Sequence, residues 1–115
     1  MNKIRLVVNN ESKRNEKEKF FIKKELQSIL NLYAKMVSNG SWKDYSFTSS
    51  IKEVSFDVYQ RASEKPVLRI LKNLKPRYFD EKYLIKDKNG AILKKSENLN
   101  QLISKTSWNK LKLVK

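Results

Sequence analysis

The chain contains no cysteine and no histidine. Disulfides, thiol nucleophiles, zinc sites of the usual ligand types and imidazole acid–base chemistry are excluded together. Only two glycines, Gly40 and Gly90, and two prolines, Pro66 and Pro76, are present, so no glycine-rich loop is available to cradle a phosphate. No apolar run approaches the roughly 18 residues of a membrane-spanning helix. Residues 1–8 (MNKIRLVV) lack the long apolar core and small-residue cleavage site of a signal peptide. The acids are few, 12 against 26 basic residues, and the spacing of Asp44, Asp57 and Glu64 gives no reason to pair two of them for glycosidase-like chemistry. These absences point away from an enzyme, from a metal or other cofactor and from a membrane span. The expectation is a cytoplasmic protein with a binding role.

What the chain has in quantity is positive charge, +14 in all. Part of it is compositional: 21 of the basic residues are lysine and 5 arginine, beside 11 asparagines and 8 isoleucines, a mixture that A/T-rich codon usage also produces. The same bias enriches glutamate, so a net basic excess survives. It is unevenly placed. Residues 1–40 carry 9 basic and 4 acidic groups (+5), residues 41–66 carry 4 and 4 (0), and residues 67–115 carry 13 and 4 (+9). The C-terminal half therefore holds the field.

The length of 115 residues suits one domain that buries roughly two-thirds of its unfolded surface. Residues 1–19 divide into a weak strand at 3–8, where Ile4, Leu6 and Val8 alternate with Arg5 and Val7, and a polar mobile connection, NNESKRNEKEK. Asn15 and Glu18 have the spacing of a capping box. From residue 20 to 115 a single α+β domain is expected. Its organising element is a long helix in which Ile22, Leu26, Ile29, Leu30, Tyr33, Met36 and Val37 recur at three and four. Asn39 and Gly40 end it with a left-handed cap. Trp42, Tyr45 and Phe47 follow as a plug over the helix end; tryptophan and tyrosine also suit a ligand clamp, with Asp44, but the plug is the simpler reading.

Val54, Phe56 and Val58 alternate with polar neighbours, and a second strand runs from Pro66 through Val67 to Leu71. Paired as a hairpin with Tyr59 opposite Val67, they place Asp57 against Arg69 and Phe56 against Ile70. One face is then apolar and the other carries an ion pair. Tyr83–Ile85 and Ala91–Lys94 form a second hairpin across Asn89-Gly90. Ser96 or Asn98 caps a short helix with Leu99, Leu102 and Ile103 on one face, and Leu111 and Leu113 suit a final edge strand guarded by lysines. The expected fold is an antiparallel sheet of about four strands in two hairpins, with one long and one short helix packed on one face. Its core is expected to contain Leu26, Ile29, Leu30, Tyr33, Val37, Phe56, Val58, Leu68 and Ile70.

The pattern Glu25-Leu26, Ile29-Leu30-Asn31-Leu32-Tyr33, Met36-Val37, Gly40, Trp42, Asp44-Tyr45 resembles the signature of an alphaproteobacterial family, Domain of Unknown Function family 2794. Arg61, Ser63, Glu64, Pro66, Arg69 and Ile70 continue the resemblance, followed by Gly90, Ile92, Leu93 and Lys94, and by Lys110, Leu111, Leu113 and Val114. It spans roughly residue 20 to the end. Two departures occur: Ala34 stands where glycine is usual, and Leu71-Lys72-Asn73 replaces a more basic, proline-bearing run. The resemblance implies a bacterial source and a genuine domain, and it carries no activity and no catalytic residue.

Two sets of residues are candidates for a site. Arg61, Ser63, Glu64 and Arg69 form a polar cluster around the first hairpin loop, where an arginine pair could hold a phosphate or carboxylate. The plainer reading gives Ser63 and Glu64 to the turn and Arg69 to Asp57. Arg69, Lys72, Lys75 and Arg77 place four cations within nine residues without an acid, interleaved with Leu71, Leu74 and Tyr78. If the chain leaves the sheet near Lys72, they line a rim that contacts a phosphate backbone. The function expected is therefore non-enzymatic binding of nucleic acid, RNA or DNA, with little sequence preference. The alternative is a protein-interaction or assembly module using an apolar sheet or helix surface near Leu71, Leu74, Leu84 and Leu93.

Overall fold

A computed structural model describes residues 19–61 and 65–108. The expected strand at 3–8, the polar connection, the Asn15/Glu18 box, Ser63, Glu64 and the edge strand at 111–114 lie outside the described residues. The elements are helix α1 (Lys23–Ser38), strands β1 (Asp44–Ser49), β2 (Glu53–Tyr59), β3 (Leu68–Asn73), β4 (Tyr83–Asp87) and β5 (Ile92–Ser96), and helix α2 (Leu99–Lys105). A single 3₁₀ turn, Phe79–Glu81, precedes β4. The strands form one antiparallel meander in the order β1-β2-β3-β4-β5. The class is α+β as the sequence implies, with five strands in the sheet.

The added strand is β1. Its Tyr45 and Phe47 alternate with Ser46 and Thr48, and Phe47 lies opposite Phe56 in register. Only Trp42 of the expected plug serves as one: it is buried between the rings of Tyr33 and Trp108, at 6.2 and 5.8 Å. Ser50 makes the tight β1–β2 connection by accepting from the amides of Lys52 and Glu53 through its hydroxyl. The β2–β3 register is the expected one, Asp57 against Arg69 and Phe56 against Ile70. At the β4–β5 turn, Gly90 takes a left-handed φ of +87° and Asp87 accepts from the amides of Asn89 and Ala91. A bulge between Ile85 and Lys86 accompanies this turn.

One face of the sheet, with Val54, Phe56, Val58, Leu68, Ile70, Tyr83 and Ile85, closes against both helices. α1 contributes Ile29, Leu32 and Met36, with Leu26 and Tyr33 partly buried; α2 contributes Leu99 and Leu102, and Asn98 caps it by accepting from Gln101 N at 2.9 Å. The helix is therefore rotated from the expected stripe. Leu30 and Val37, assigned to the core from sequence, are 39% and 41% exposed, and the buried line runs through Glu25, Ile29, Leu32 and Met36. Gly40, at φ +84°, ends the helix. No helix among the described residues is long and apolar enough to cross a membrane.

Candidate functional site

The four cations from Arg69 to Arg77 do not share a surface. The sheet continues to Asn73, so strand alternation carries Lys72 onto the helix-facing side with Leu68 and Ile70. There it stands between Val54 and Tyr83 in adjacent strands and is 1% exposed. Its ammonium donates to Glu25 Oε1 at 2.8 Å and to the Phe20 carbonyl at 3.1 Å. Glu25 also accepts from the Tyr83 hydroxyl and, at 2.8 Å, from the Ile22 amide. That last bond is one half of a capping box; the other half is missing because isoleucine has no acceptor. The network ties the first turn of α1 to the centre of the sheet and leaves Lys72 unavailable to a phosphate.

Arg69 points to the opposite face. Its Nε donates to Asp57 Oδ1 at 3.0 Å, and its Nη2 donates to Ser55 Oγ at 3.2 Å. Asp57 is buried and also accepts from the hydroxyls of Ser55 and Thr48, both at 2.7 Å. The expected ion pair is thus present inside a fuller network, in which each carboxylate oxygen has a partner. Leu71 and Leu84 face each other beside it and are buried, so the expected leucine surface of Leu71, Leu74, Leu84 and Leu93 does not exist; Leu93 alone of the four is exposed. Arg61 is exposed at the end of β2. Ser63 and Glu64 fall outside the described residues, which leaves the loop cluster without a geometry.

Lys75 and Arg77 are exposed, in the β3–β4 connection. Next to them are two aromatics that the strand pattern did not require. Tyr78 is 60% exposed and Phe79 82%, whereas Leu74 of the same loop packs on the core. The loop is closed at its base by Asn73 N donating to Lys82 O at 2.7 Å. Its 3₁₀ turn packs against β5, where Asp80 meets Lys95 at 3.6 Å.

The β4–β5 hairpin continues this basic region. Lys82, Lys86, Lys88, Lys94 and Lys95 stand against the single acid Asp87, a net of +4 over residues 82–95. The carboxylate of Asp87 is engaged in the turn, and among the described residues β5 is an edge strand, exposed along nearly its whole length. Sequence reasoning passed over this hairpin because it fixed on the acid-free run. A sliding count of charge finds it, and the adjacent pair Tyr78-Phe79 in a connection is the signal for the loop.

A second surface lies at the other edge of the sheet. Tyr45 and Phe47 of β1 are partly exposed and meet Tyr33 and Phe20 at ring distances of 4.8 and 5.3 Å. Leu30 and Val37 flank Tyr33 on α1. Burial, with Asp44 and Tyr45 nearby, pushes the Tyr33 phenol above its ordinary pKa. An open cleft of about 820 Å³ between α1 and α2 is lined by polar groups such as Asn31, Asn39 and Asn100 and by the apolar Leu32, Ile103 and Trp108. No group of three acidic side chains suited to a metal ion occurs among the described residues.

A family model described as Protein of unknown function (DUF2794) matches residues 19–103. The match starts where the sequence resemblance starts and stops before its last members, Lys110 to Val114. Comparison with curated proteins and with solved structures gave no match.

Proposed function

The chain belongs to the DUF2794 family, whose description carries no activity, and we propose that it is a non-enzymatic nucleic-acid-binding module. The phosphate contacts come from the β4–β5 hairpin, with Lys75 and Arg77 extending the same region. The observation that carries this reading is the hairpin's lysines, Lys88, Lys94 and Lys95 exposed and Lys82 and Lys86 half-buried, with its one acid committed to the turn. Exposed ammonium groups neutralise phosphates without reading bases, which accounts for binding with little sequence preference. Lysines on an edge strand also discourage strand pairing between chains, but Lys82, Lys86 and Lys88 are not on β5 and do not need that explanation.

The test is the salt dependence of binding. Each duplex phosphate neutralised contributes about −0.9 to the slope of log K against log salt. Changing Lys88, Lys94 and Lys95 together to glutamine is expected to make the slope shallower by about 2.7, without altering the melting temperature, because all three side chains are exposed. Absence of binding at about 50 mM salt with the protein folded, or an unchanged slope in the variant, would remove the proposal.

A second reading is assembly of copies through the α1–β1 edge, favoured by the exposed Leu30, Val37, Tyr45 and Phe47. Contiguous exposed apolar surface is characteristic of such contacts. Sedimentation is then expected to show concentration-dependent dimerisation that Leu30→Glu with Val37→Glu abolishes. A monomer at all concentrations would rule it out.

A further inference from the structure

The geometry points to single-stranded nucleic acid as the ligand, with Tyr78 and Phe79 as stacking platforms beside the hairpin's phosphate track. This rests on the phosphate-binding reading above and adds the class of strand. Large aromatics on a surface usually bury most of their area; these two adjacent side chains are 60% and 82% exposed. None of the close ring–ring contacts elsewhere in the described residues involves either of them.

Their position gives the exposure a use. The 3₁₀ turn that begins at Phe79 packs against β5, and Asp80 contacts Lys95, so the turn that carries these aromatics lies beside the Lys95 end of the strand. The loop's own charge is nearly balanced: Lys75, Arg77 and Lys82 against Asp80 and Glu81 give +1 over residues 75–82. It therefore adds little long-range attraction, and the hairpin supplies most of that. What the loop adds is two π-faces, which can stack on any base that is not already paired and stacked. A duplex keeps its bases stacked on each other and offers such rings only its ends. Combined cations and aromatics bind a strand in the way that tolerates sequence, because every base has a π-face.

The experiment is a fluorescence-anisotropy titration of the full chain with a mixed-sequence DNA strand, the same sequence as RNA, and the DNA as a duplex, at fixed low salt. Both single strands are expected to bind more tightly than the duplex. Tyr78→Ala and Phe79→Ala are each expected to weaken single-strand binding by about five- to a hundredfold, to leave duplex binding unchanged and to leave the salt slope unchanged, since neither removes a charge. Phe79→Trp is expected to retain binding, which separates loss of the ring from loss of the loop. Equal affinity for strand and duplex, or wild-type strand affinity in both alanine variants, would overturn the inference. If the Lys88, Lys94 and Lys95 substitutions still weakened binding in that case, the phosphate-binding function would stand alone. Failure of the unmodified protein to bind any of the three ligands would remove both.

Discussion

Replacing Glu25 by alanine is expected to destabilise the fold by about 3–5 kcal/mol, the cost of breaking a buried ion pair by removing its carboxylate. Lys72 is 1% exposed and its ammonium has Glu25 as its carboxylate partner at 2.8 Å. The substitution also removes the hydrogen bonds that Glu25 accepts from the Tyr83 hydroxyl and the Ile22 amide, which adds to the penalty. Chemical denaturation followed by circular dichroism reads the effect as a lowered midpoint. A pair of this kind is costly to break without being a large net source of stability, because both ions had to leave water to form it. The triple change Glu25→Leu, Lys72→Met and Tyr83→Phe is therefore expected to recover most of the loss. Loss below about 1 kcal/mol in Glu25→Ala would show that water reaches Lys72 in solution.

The same pair explains two of the places where the sequence expectation and the fold differ. Helix periodicity treats a glutamate as a solvent-facing residue, so Glu25 was left off the stripe and the apolar centre of α1 moved towards Leu30 and Val37. With Glu25 placed on the buried line, the spacing Glu25, Ile29, Leu32, Met36 follows at intervals of four, three and four. Lys72 failed in a complementary way. The register that set Phe56 against Ile70 already gave even-numbered positions of β3 to the apolar face, and only the supposed end of the strand before Lys72 released it. Each charge looks superficial alone and is tolerable inside only because the other is there, at a sequence separation of 47 residues. A pattern read within one helix or one strand cannot register that partnership.

Other features were legible because their causes are local. Asn89-Gly90 supplied its own turn geometry, Asn98 its own cap, and the alternation of β2 and β3 left one register that paired Asp57 with Arg69. β1 was missed although Tyr45-Ser46-Phe47-Thr48 alternates, because two aromatics after a helix also describe a plug and Trp42 does that job. The basic excess of the C-terminal half was legible in the sequence, but not which of its cations the fold leaves outside. Charge counts ignore which side chains a strand turns inward, and Arg69 and Lys72 were both drawn into partners. Their loss moves the exposed positive surface to the β4–β5 hairpin.

Phe56→Ala is expected to cost about 3–5 kcal/mol, whereas Leu30→Ala is expected to cost under about 1 kcal/mol. Phe56 is 0% exposed, and its ring lies 5.2 Å from Tyr45, 5.4 Å from Phe47 and 5.8 Å from Tyr33. It is the point where β2 holds both the β1 edge and α1. Its truncation leaves a cavity and dissolves three aromatic contacts, each worth about 0.5–1.5 kcal/mol beyond the area they bury. Leu30, on the flank of the same helix, leaves its side of the contact to water. Denaturant midpoints at unchanged slope read both values. They also discriminate between the two readings of the α1–β1 edge. If Leu30→Ala loses about 2 kcal/mol or more, as buried leucines do, and the loss grows with protein concentration, α1 is covered by a second copy in solution. A small, concentration-independent loss leaves α1 as the outer layer of a monomer.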